Sequence, residues 1–325
     1  MKRPSWFWII CVALLVLAYV STRVITNPFV FFTGEVVLQF IALATAWNIA
    51  GGYAGYVNFG TAGFFGIGAY IAVAVSQAWG APIAVQILCA AFVGGALGLG
   101  VGYLSVRLRG IYYSIATIAV AVILESVVVN WPYVGGAQGL SIVRPGPPTG
   151  FANYNGFLFV VMAVLAVGAV AIARGFERSR FGRAFGAIRD NEAVAEACGV
   201  PTLRTKCLAT AVSGAMMAAV GAPYALYASY IDPSAAFNMN YSLLALAMPL
   251  LGGTISWPGP VIGAFLLSLI EQGLTVTASP EVNLLVVGLI LVGGVVFLPG
   301  GLYRLLIRRR RPRKEVQAAS RRRTV

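Results

Sequence analysis

Residues 83–106 read IAVQILCAAFVGGALGLGVGYLSV, 24 positions without a charge, followed at once by Arg107-Leu108-Arg109-Gly110. A helix crosses a hydrocarbon core of roughly 30 Å with about 20 apolar residues, so this stretch reads as a transmembrane span. Working outward, the pattern recurs. Residues 6–22, 36–50, 60–78, 83–106, 112–130, 157–173, 207–230, 241–252, 259–274 and 282–299 form ten apolar runs separated by polar breaks. Over all 325 residues, 59% are hydrophobic and 10% charged, against about 25% charged in a soluble domain. The expected fold class is an all-α polytopic membrane protein of about ten helices. A single membrane domain should cover residues 1–303, and a basic tail, residues 304–325, is expected to be disordered. Lys2 and Arg3 before the first apolar run give it the look of a signal peptide. The run continues to Val24 and Ile25 without a small-residue cleavage site, so it reads as a retained span.

Charge placement gives an orientation. With the amino terminus inside and ten alternating spans, all but Arg23 and Arg144 of the 23 Lys and Arg residues fall on the inner side. That agrees with the positive-inside rule and predicts cytoplasmic termini. The net charge of +13 sits in loops and tails between spans, so a nucleic-acid partner is not expected. Arg308–Arg311, Arg313, Lys314 and Arg321–Arg323 make the tail either a solvated topogenic segment or an anchor to anionic membrane lipid.

Several chemistries are disfavoured. A phosphate-binding loop needs Gly-Lys-Ser/Thr after a glycine-rich turn, and Lys2, Lys206 and Lys314 are the only lysines. There is no histidine, which excludes a His-Glu-x-x-His zinc helix. Cys11, Cys89, Cys198 and Cys207 lack metal-ligand spacing. No cofactor or metal is expected, and the chain is expected not to be an enzyme. Glu35, Glu125 and Glu271 read as carboxylates near outer helix ends, where partial hydration tolerates them. For Glu125 a pathway role stands beside an interfacial one.

Two spans are interrupted. Residues 36–50 run into Gly51-Gly52-Tyr53-Ala54-Gly55, and residues 241–252 run into Gly252-Gly253 and then Trp257-Pro258-Gly259-Pro260. Broken helices at membrane depth free backbone groups that protein or a wet cavity must satisfy. One such break in each half points to a pathway between two inverted-repeat-like halves, with Gly52, Gly55, Gly252 and Gly253 at the route or its gate. Close helix packing through glycine is the alternative.

Residues 174–206 form the one sizeable hydrophilic segment inside the fold. Within it a helix is expected over 190–199. Asp190 or Asn191 caps its start, Gly199 ends it and Pro201 follows. Ala193, Val194, Ala197 and Cys198 make a small apolar face, and Glu192 and Glu196 stack one turn apart. So short a helix needs a protein surface.

This segment resembles the coupling loop of ABC-importer permeases, specifically the LivM-type permeases of branched-chain amino-acid importers. The likeness extends through Gly55-Tyr56-Val57-Asn58-Phe59-Gly60, Phe64-Phe65-Gly66-Ile67-Gly68-Ala69-Tyr70, Arg107-Leu108-Arg109-Gly110-Ile111-Tyr112-Tyr113, Gly135-Gly136 with Gly139-Leu140, Phe181-Gly182-Arg183-Ala184, Ala187–Glu192, Leu251-Gly252-Gly253 and Gly259–Ala264. It departs at Thr61, Asn58, Gln138, Val122 and Glu125, positions that bear on the solute more than on architecture. The resemblance implies a permease subunit for hydrophobic amino-acid uptake in a prokaryotic cytoplasmic membrane. It implies a homologous permease subunit, two ATP-binding subunits that hold the ATP, and a periplasmic or lipid-anchored solute-binding protein. Arg189, Asp190, Asn191, Glu192, Ala193, Glu196, Ala197 and Gly199 would couple to the ATPase, and Asn58 would join the pathway glycines. Urea, short amides or aromatic acids are alternative solutes, and an ion-coupled transporter is the alternative mode.

Overall fold

The computed structural model describes residues 5–308 except 26, 105–107, 109, 143, 145, 149, 152, 278, 298 and 299. Most of the basic tail therefore lies outside the described residues, as do Lys2, Arg3, Arg107 and Arg109. The chain is helical almost throughout. In order come α1 (Ser5–Val24), α2 (Pro28–Asn48), α3 (Thr61–Trp79), α4 (Ile83–Leu104), α5 (Ile111–Val129) and α6 (Tyr154–Arg178). There follow α7 (Arg180–Asp190), α8 (Glu192–Ala197), α9 (Thr202–Ala228), α10 (Pro233–Ala236), α11 (Met239–Gly252), α12 (Pro258–Thr277), α13 (Pro280–Phe297) and α14 (Gly301–Arg308).

Each of the ten apolar runs falls on one long helix. Among the described residues eight stretches are long and apolar enough to cross a membrane, ending with Pro233–Gly252. The last two runs coincide with α12, 20 residues, and α13, 18 residues. The second span is longer than its apolar run. Asn27 caps α2, its side chain accepting the Phe29 N–H at 3.0 Å, and Pro28 opens the first turn. Glu35 therefore lies inside α2, not before it, and it is 1% exposed. The expected hydrated carboxylate is instead enclosed by protein.

In lipid, helices gain little from hiding apolar side chains from one another, so association depends on close approach and polar contacts. The tightest seam joins α4 to α9. Gly94, Gly98 and Gly102 recur every fourth residue along α4. A Cβ at Gly94 would come within 2.6 Å of the Gly214 carbonyl oxygen, and one at Gly102 within 2.7 Å of Cys207 Cα. On the other flank of α9, Gly68 of α3 has no room for a Cβ against the Ala218 backbone. Glycine here is what lets α3 and α4 both lie against α9. Phe64, Phe65, Leu43 and Met217 fill the core between α2, α3 and α9. α1 packs mainly on α6 and leaves Trp6, Ile9, Leu17 and Val24 exposed. At one end of the bundle, Leu140–Ser141 and Tyr230–Ile231 pair as a short antiparallel ribbon. The other end carries α7 and α8.

Candidate translocation gate and coupling segment

The first break is a change of helix type. After Asn48, α2 widens into a π-helical turn, Ile49–Tyr53, and residues 54–60 run irregularly to α3. Gly51 lies where a Cβ would strike the Trp47 ring, and Gly55 has φ +81°, a left-handed conformation natural to glycine. The unwound backbone is satisfied by protein. Trp47 Nε1 donates to the Asn58 carbonyl at 2.7 Å, Ser114 Oγ to the Val57 carbonyl at 2.8 Å, and Phe59 N to Thr117 Oγ1 at 3.0 Å. Asn58 Oδ1 accepts the Gly60 N–H at 2.7 Å, and the residue is 1% exposed. Asn58 is thus committed to shaping the break.

At the second break α11 contains Pro249 and ends at Gly252, and Gly253 follows with φ +114°. Gly252 lies so close to Gly259 and Gly263 that neither chain has space for a side chain. The two breaks meet. A Cβ on Gly52 would come within 2.8 Å of the Thr254 carbonyl oxygen. Gly52, Gly55, Gly252 and Gly253, distant in sequence, are thus gathered at the end of the bundle that bears α7 and α8. Both breaks occupy that same end.

A carboxylate not singled out from sequence fastens this junction. Glu177, in the last turn of α6, accepts from Trp257 N at 2.8 Å, Ser256 Oγ at 3.1 Å and Tyr53 Oη at 3.4 Å. It holds the π-helical turn and the second break with one side chain. The only signal in sequence is an acid among Arg174, Arg178, Arg180 and Arg183. Arg174 adds a cation–π contact, 3.7 Å from the Phe7 ring centre, and Phe7 meets Trp257 edge-on at 5.4 Å.

The hydrophilic segment contains two helices where one was expected. Ser179 caps α7, accepting from Phe181 N and Gly182 N at 3.1 and 3.3 Å, and Phe185 and Ile188 bury its apolar side. Asp190 closes α7 instead of opening the next helix. Asn191 caps α8, its Oδ1 accepting from Val194 N at 3.2 Å, and Gly199 ends it with φ +83°. The segment is bonded to the first break. Arg189 Nη1 donates to the Gly52 carbonyl at 3.3 Å, and its Cγ lies 2.9 Å from where a Gly55 Cβ would stand. Glu192 accepts from Tyr56 Oη at 2.7 Å and forms an ion pair with Lys206, whose side chain is 2% exposed. Glu192 therefore faces the bundle, while Arg189, partly exposed and also paired with Asp190 at 3.5 Å, reaches inward from the rim. Asn191, Ala193, Val194, Glu196, Ala197 and Gly199 remain exposed, while Ala195 is the buried contact of α8.

The family described as "Branched-chain amino acid transport system / permease component" matches residues 30–295. The chain belongs to this family. As a family member with its apolar helices, it is a multi-pass permease subunit of the prokaryotic inner membrane, of the ABC-transporter class, and not an enzyme. It is 26% identical over 321 residues to the high-affinity branched-chain amino acid transport system permease protein LivM of Escherichia coli K12. That alignment covers 90% of this chain and 73% of the relative. The LivM of Salmonella typhimurium is likewise 26% identical, over 89% of this chain and 73% of its own length. The autoinducer 2 import system permease protein LsrC of Klebsiella pneumoniae is 30% identical over 68% of this chain and 64% of its own length. No solved structure gives a significant match. The matched region of this chain spans both glycine breaks, Glu177 and the α7–α8 segment.

Proposed function

We propose that this permease forms half of the pathway of an ATP-driven importer of branched-chain amino acids. It would work with a homologous permease subunit, two ATP-binding subunits and a periplasmic or lipid-anchored solute-binding protein. The LivM relatives support the solute, being longer matches than the LsrC relatives. The observation that carries the mechanism is the bonding of α7 and α8 to the first glycine break through Arg189–Gly52 and Glu192–Tyr56. A driver biases a pathway only through an element with two arrangements that it touches. The exposed Ala193, Val194 and Ala197 offer the ATPase a small apolar face, while the inward side of the same segment grips the gate. Movement of α7 and α8 on ATP binding then alters how the breaks meet, and Gly52, Gly55, Gly252 and Gly253 give room for that change.

The direct test is uptake into vesicles containing the complete reconstituted transporter. Labelled leucine, isoleucine and valine should enter only with ATP and the binding protein. Uptake of urea, short amides, aromatic acids or autoinducer 2 in place of these amino acids would overturn the solute assignment. Uptake driven by an ion gradient without ATP would overturn the mode.

A further inference from the structure

The irregular chain between α2 and α3 runs inside a span and is uncovered on one side. The Val57 carbonyl accepts from Ser114 Oγ, in the first turn of α5, at 2.8 Å. Phe59 N donates at 3.0 Å to Thr117 Oγ1, six residues into the same helix. At 1.5 Å per residue this chain lies about 5–9 Å inside the end of a helix about 28 Å long. Gly55 and Val57 are nonetheless exposed. The start of α3 shows what stands on either side. A Cβ on Gly63 would come within 2.8 Å of Ala121 Cα on α5. On the adjoining side, one on Gly66 would come within 2.8 Å of the Phe237 ring, and Ala62 N donates to Ser242 Oγ of α11 at 2.9 Å. α5 and α11 are thus neighbours around α3. Both turn exposed side chains outward, Ile115, Val122 and Ser126 on α5 and Leu243 and Leu250 on α11. Half-buried Glu125 lies three turns along α5 from Ser114, on the same flank, and has no hydrogen bond or ion pair among the described residues.

Hydrocarbon cannot satisfy irregular backbone, so at membrane depth such backbone is buried in protein or lines water. A carboxylate within a span follows the same rule. The face made by residues 55–59, α5 and α11 is therefore not a lipid face. It runs the length of a span, so only another membrane-embedded chain can cover it. ATP-binding subunits and a solute-binding protein lie outside the bilayer. The exposed sides of the two helices, about 28 and 21 Å long and about 10 Å wide, present roughly 500 Å² in projection. That is the scale of the ~800 Å² of accessible surface each partner buries in a specific complex. We propose that the homologous permease subunit packs on this face, against α5 and α11, with residues 55–59 along the seam. The seam then borders both breaks, because Gly55 abuts Arg189 and α11 ends at Gly252. This inference rests on the import reading above, which supplies the second permease, and adds where that subunit sits.

The test uses the complete transporter in membrane vesicles, with the photo-reactive residue p-benzoylphenylalanine placed at one position at a time. It replaces Val57, Ile115 or Leu243 on the proposed face, and Phe92 of α4 or Leu17 of α1, exposed on other elements. Irradiation should shift this permease to the summed mass of two different permease chains from positions 57, 115 and 243. It should leave the band in place from positions 92 and 17. Mass spectrometry identifies the joined chain, and ATPase co-purification checks assembly. Where position 115 or 243 fails that check, Val122 or Leu250 takes its place. No shift from the three positions, or a shift from Phe92 or Leu17 in their stead, overturns the proposal. Joining to a second copy of this chain, or to lipid alone, overturns it as well. Leucine uptake by the same vesicles separates this result from the import reading. Uptake with the cross-links elsewhere refutes the interface alone. The expected cross-links without uptake of any branched-chain amino acid refute the solute alone.

Discussion

Removing the Glu177 carboxylate is the sharpest test of the gate. In Glu177→Ala the Trp257 N–H loses its acceptor at 2.8 Å, and the Ser256 and Tyr53 hydroxyls lose theirs at 3.1 and 3.4 Å. A hydrogen bond to a charged group contributes about 1.5–3 kcal/mol. Bonds between membrane helices average less, near 0.6 kcal/mol, because the freed groups find other partners. The two hydroxyls can rotate to new acceptors, whereas the Trp257 N–H is fixed by its backbone. The backbone bond should therefore dominate, and the total loss should be about 2–3 kcal/mol. At 1.4 kcal/mol per tenfold, separation of the two breaks becomes about 30- to 150-fold more populated. Hydrogen exchange read by mass spectrometry should show that acceleration in peptides spanning residues 49–55 and 254–257. Vesicles should show ATP hydrolysis persisting while uptake falls. Glu177→Gln, which keeps one acceptor oxygen, should lie between the two. Exchange within about threefold of wild type in both peptides, with normal uptake, would show that Glu177 does not hold the junction.

Other perturbations probe the remaining parts. Gly55→Leu and Gly253→Leu impose side chains at φ +81° and +114°, the first against Arg189. Left-handed backbone alone costs about 1–2 kcal/mol, and uptake should be lost while the permease still co-purifies with its ATPase. Gly98→Ile overfills the α4–α9 seam, where a Cβ already meets Ala211 Cα at 2.9 Å. Overpacking of about 1–3 kcal/mol should lower the melting temperature of the detergent-solubilised protein. In a cysteine-free background, Asn153→Cys should react with an impermeant thiol reagent in intact cells. Labelling only after permeabilisation would reverse the proposed orientation. Ala193→Trp and Gly199→Val, at the exposed face and the stop of α8, should leave membrane insertion normal but lower ATPase co-purification or separate hydrolysis from uptake. Normal values of both in both variants would remove α8 from coupling.

The spans were legible because lipid imposes one rule on every residue. Each of the ten apolar runs lands on a helix for that reason, and eight stretches among the described residues are long and apolar enough to cross a membrane. The start of α2 was missed because Asn27-Pro28, a capping signal, precedes residues 29–35, where Glu35 interrupts the apolar pattern. The junction of the two breaks was half legible. Glycine clusters announce irregular backbone, so Gly52, Gly55, Gly252 and Gly253 could be named. That the two clusters touch is a contact across 200 residues, and no local signal encodes it. Glu177 was invisible for the same reason, since its partners come from both breaks. In the hydrophilic segment the capping of α8 by Asn191 and its stop at Gly199 followed from local rules. The inward turn of Arg189 and Glu192 depended on Gly52 and Tyr56, far away in sequence. α7 was missed although Ser179 is a good cap, because its arginines make it read as a solvated stretch while Phe185 and Ile188 do the burying.

In the mechanism proposed here, α2 is the element through which α7 would act on the breaks. Glu35 and Gly52 lie 17 residues apart on one helix and its π-helical extension, about 25 Å at 1.5 Å per residue. Along that length the side chains of Ala42, Leu43, Ala44, Thr45 and Ala46 are fully enclosed by neighbouring helices. Such a helix can shift as a rod but has little freedom to bend. Its compliant part is the π-helical turn with Gly51 and Gly52, and that is where Arg189 takes hold. A pull from α7 is therefore absorbed first at the turn, which changes how the breaks meet. Only a larger displacement slides the rod and disturbs the enclosed groups around Glu35. The two ends are then linked in order, turn before rod. This predicts that ATP binding to the complete transporter changes hydrogen exchange at residues 49–55 and leaves residues 30–37 as they were. An equal change at both ends would mean that α2 responds as one body, and the turn would lose its role as the yielding element.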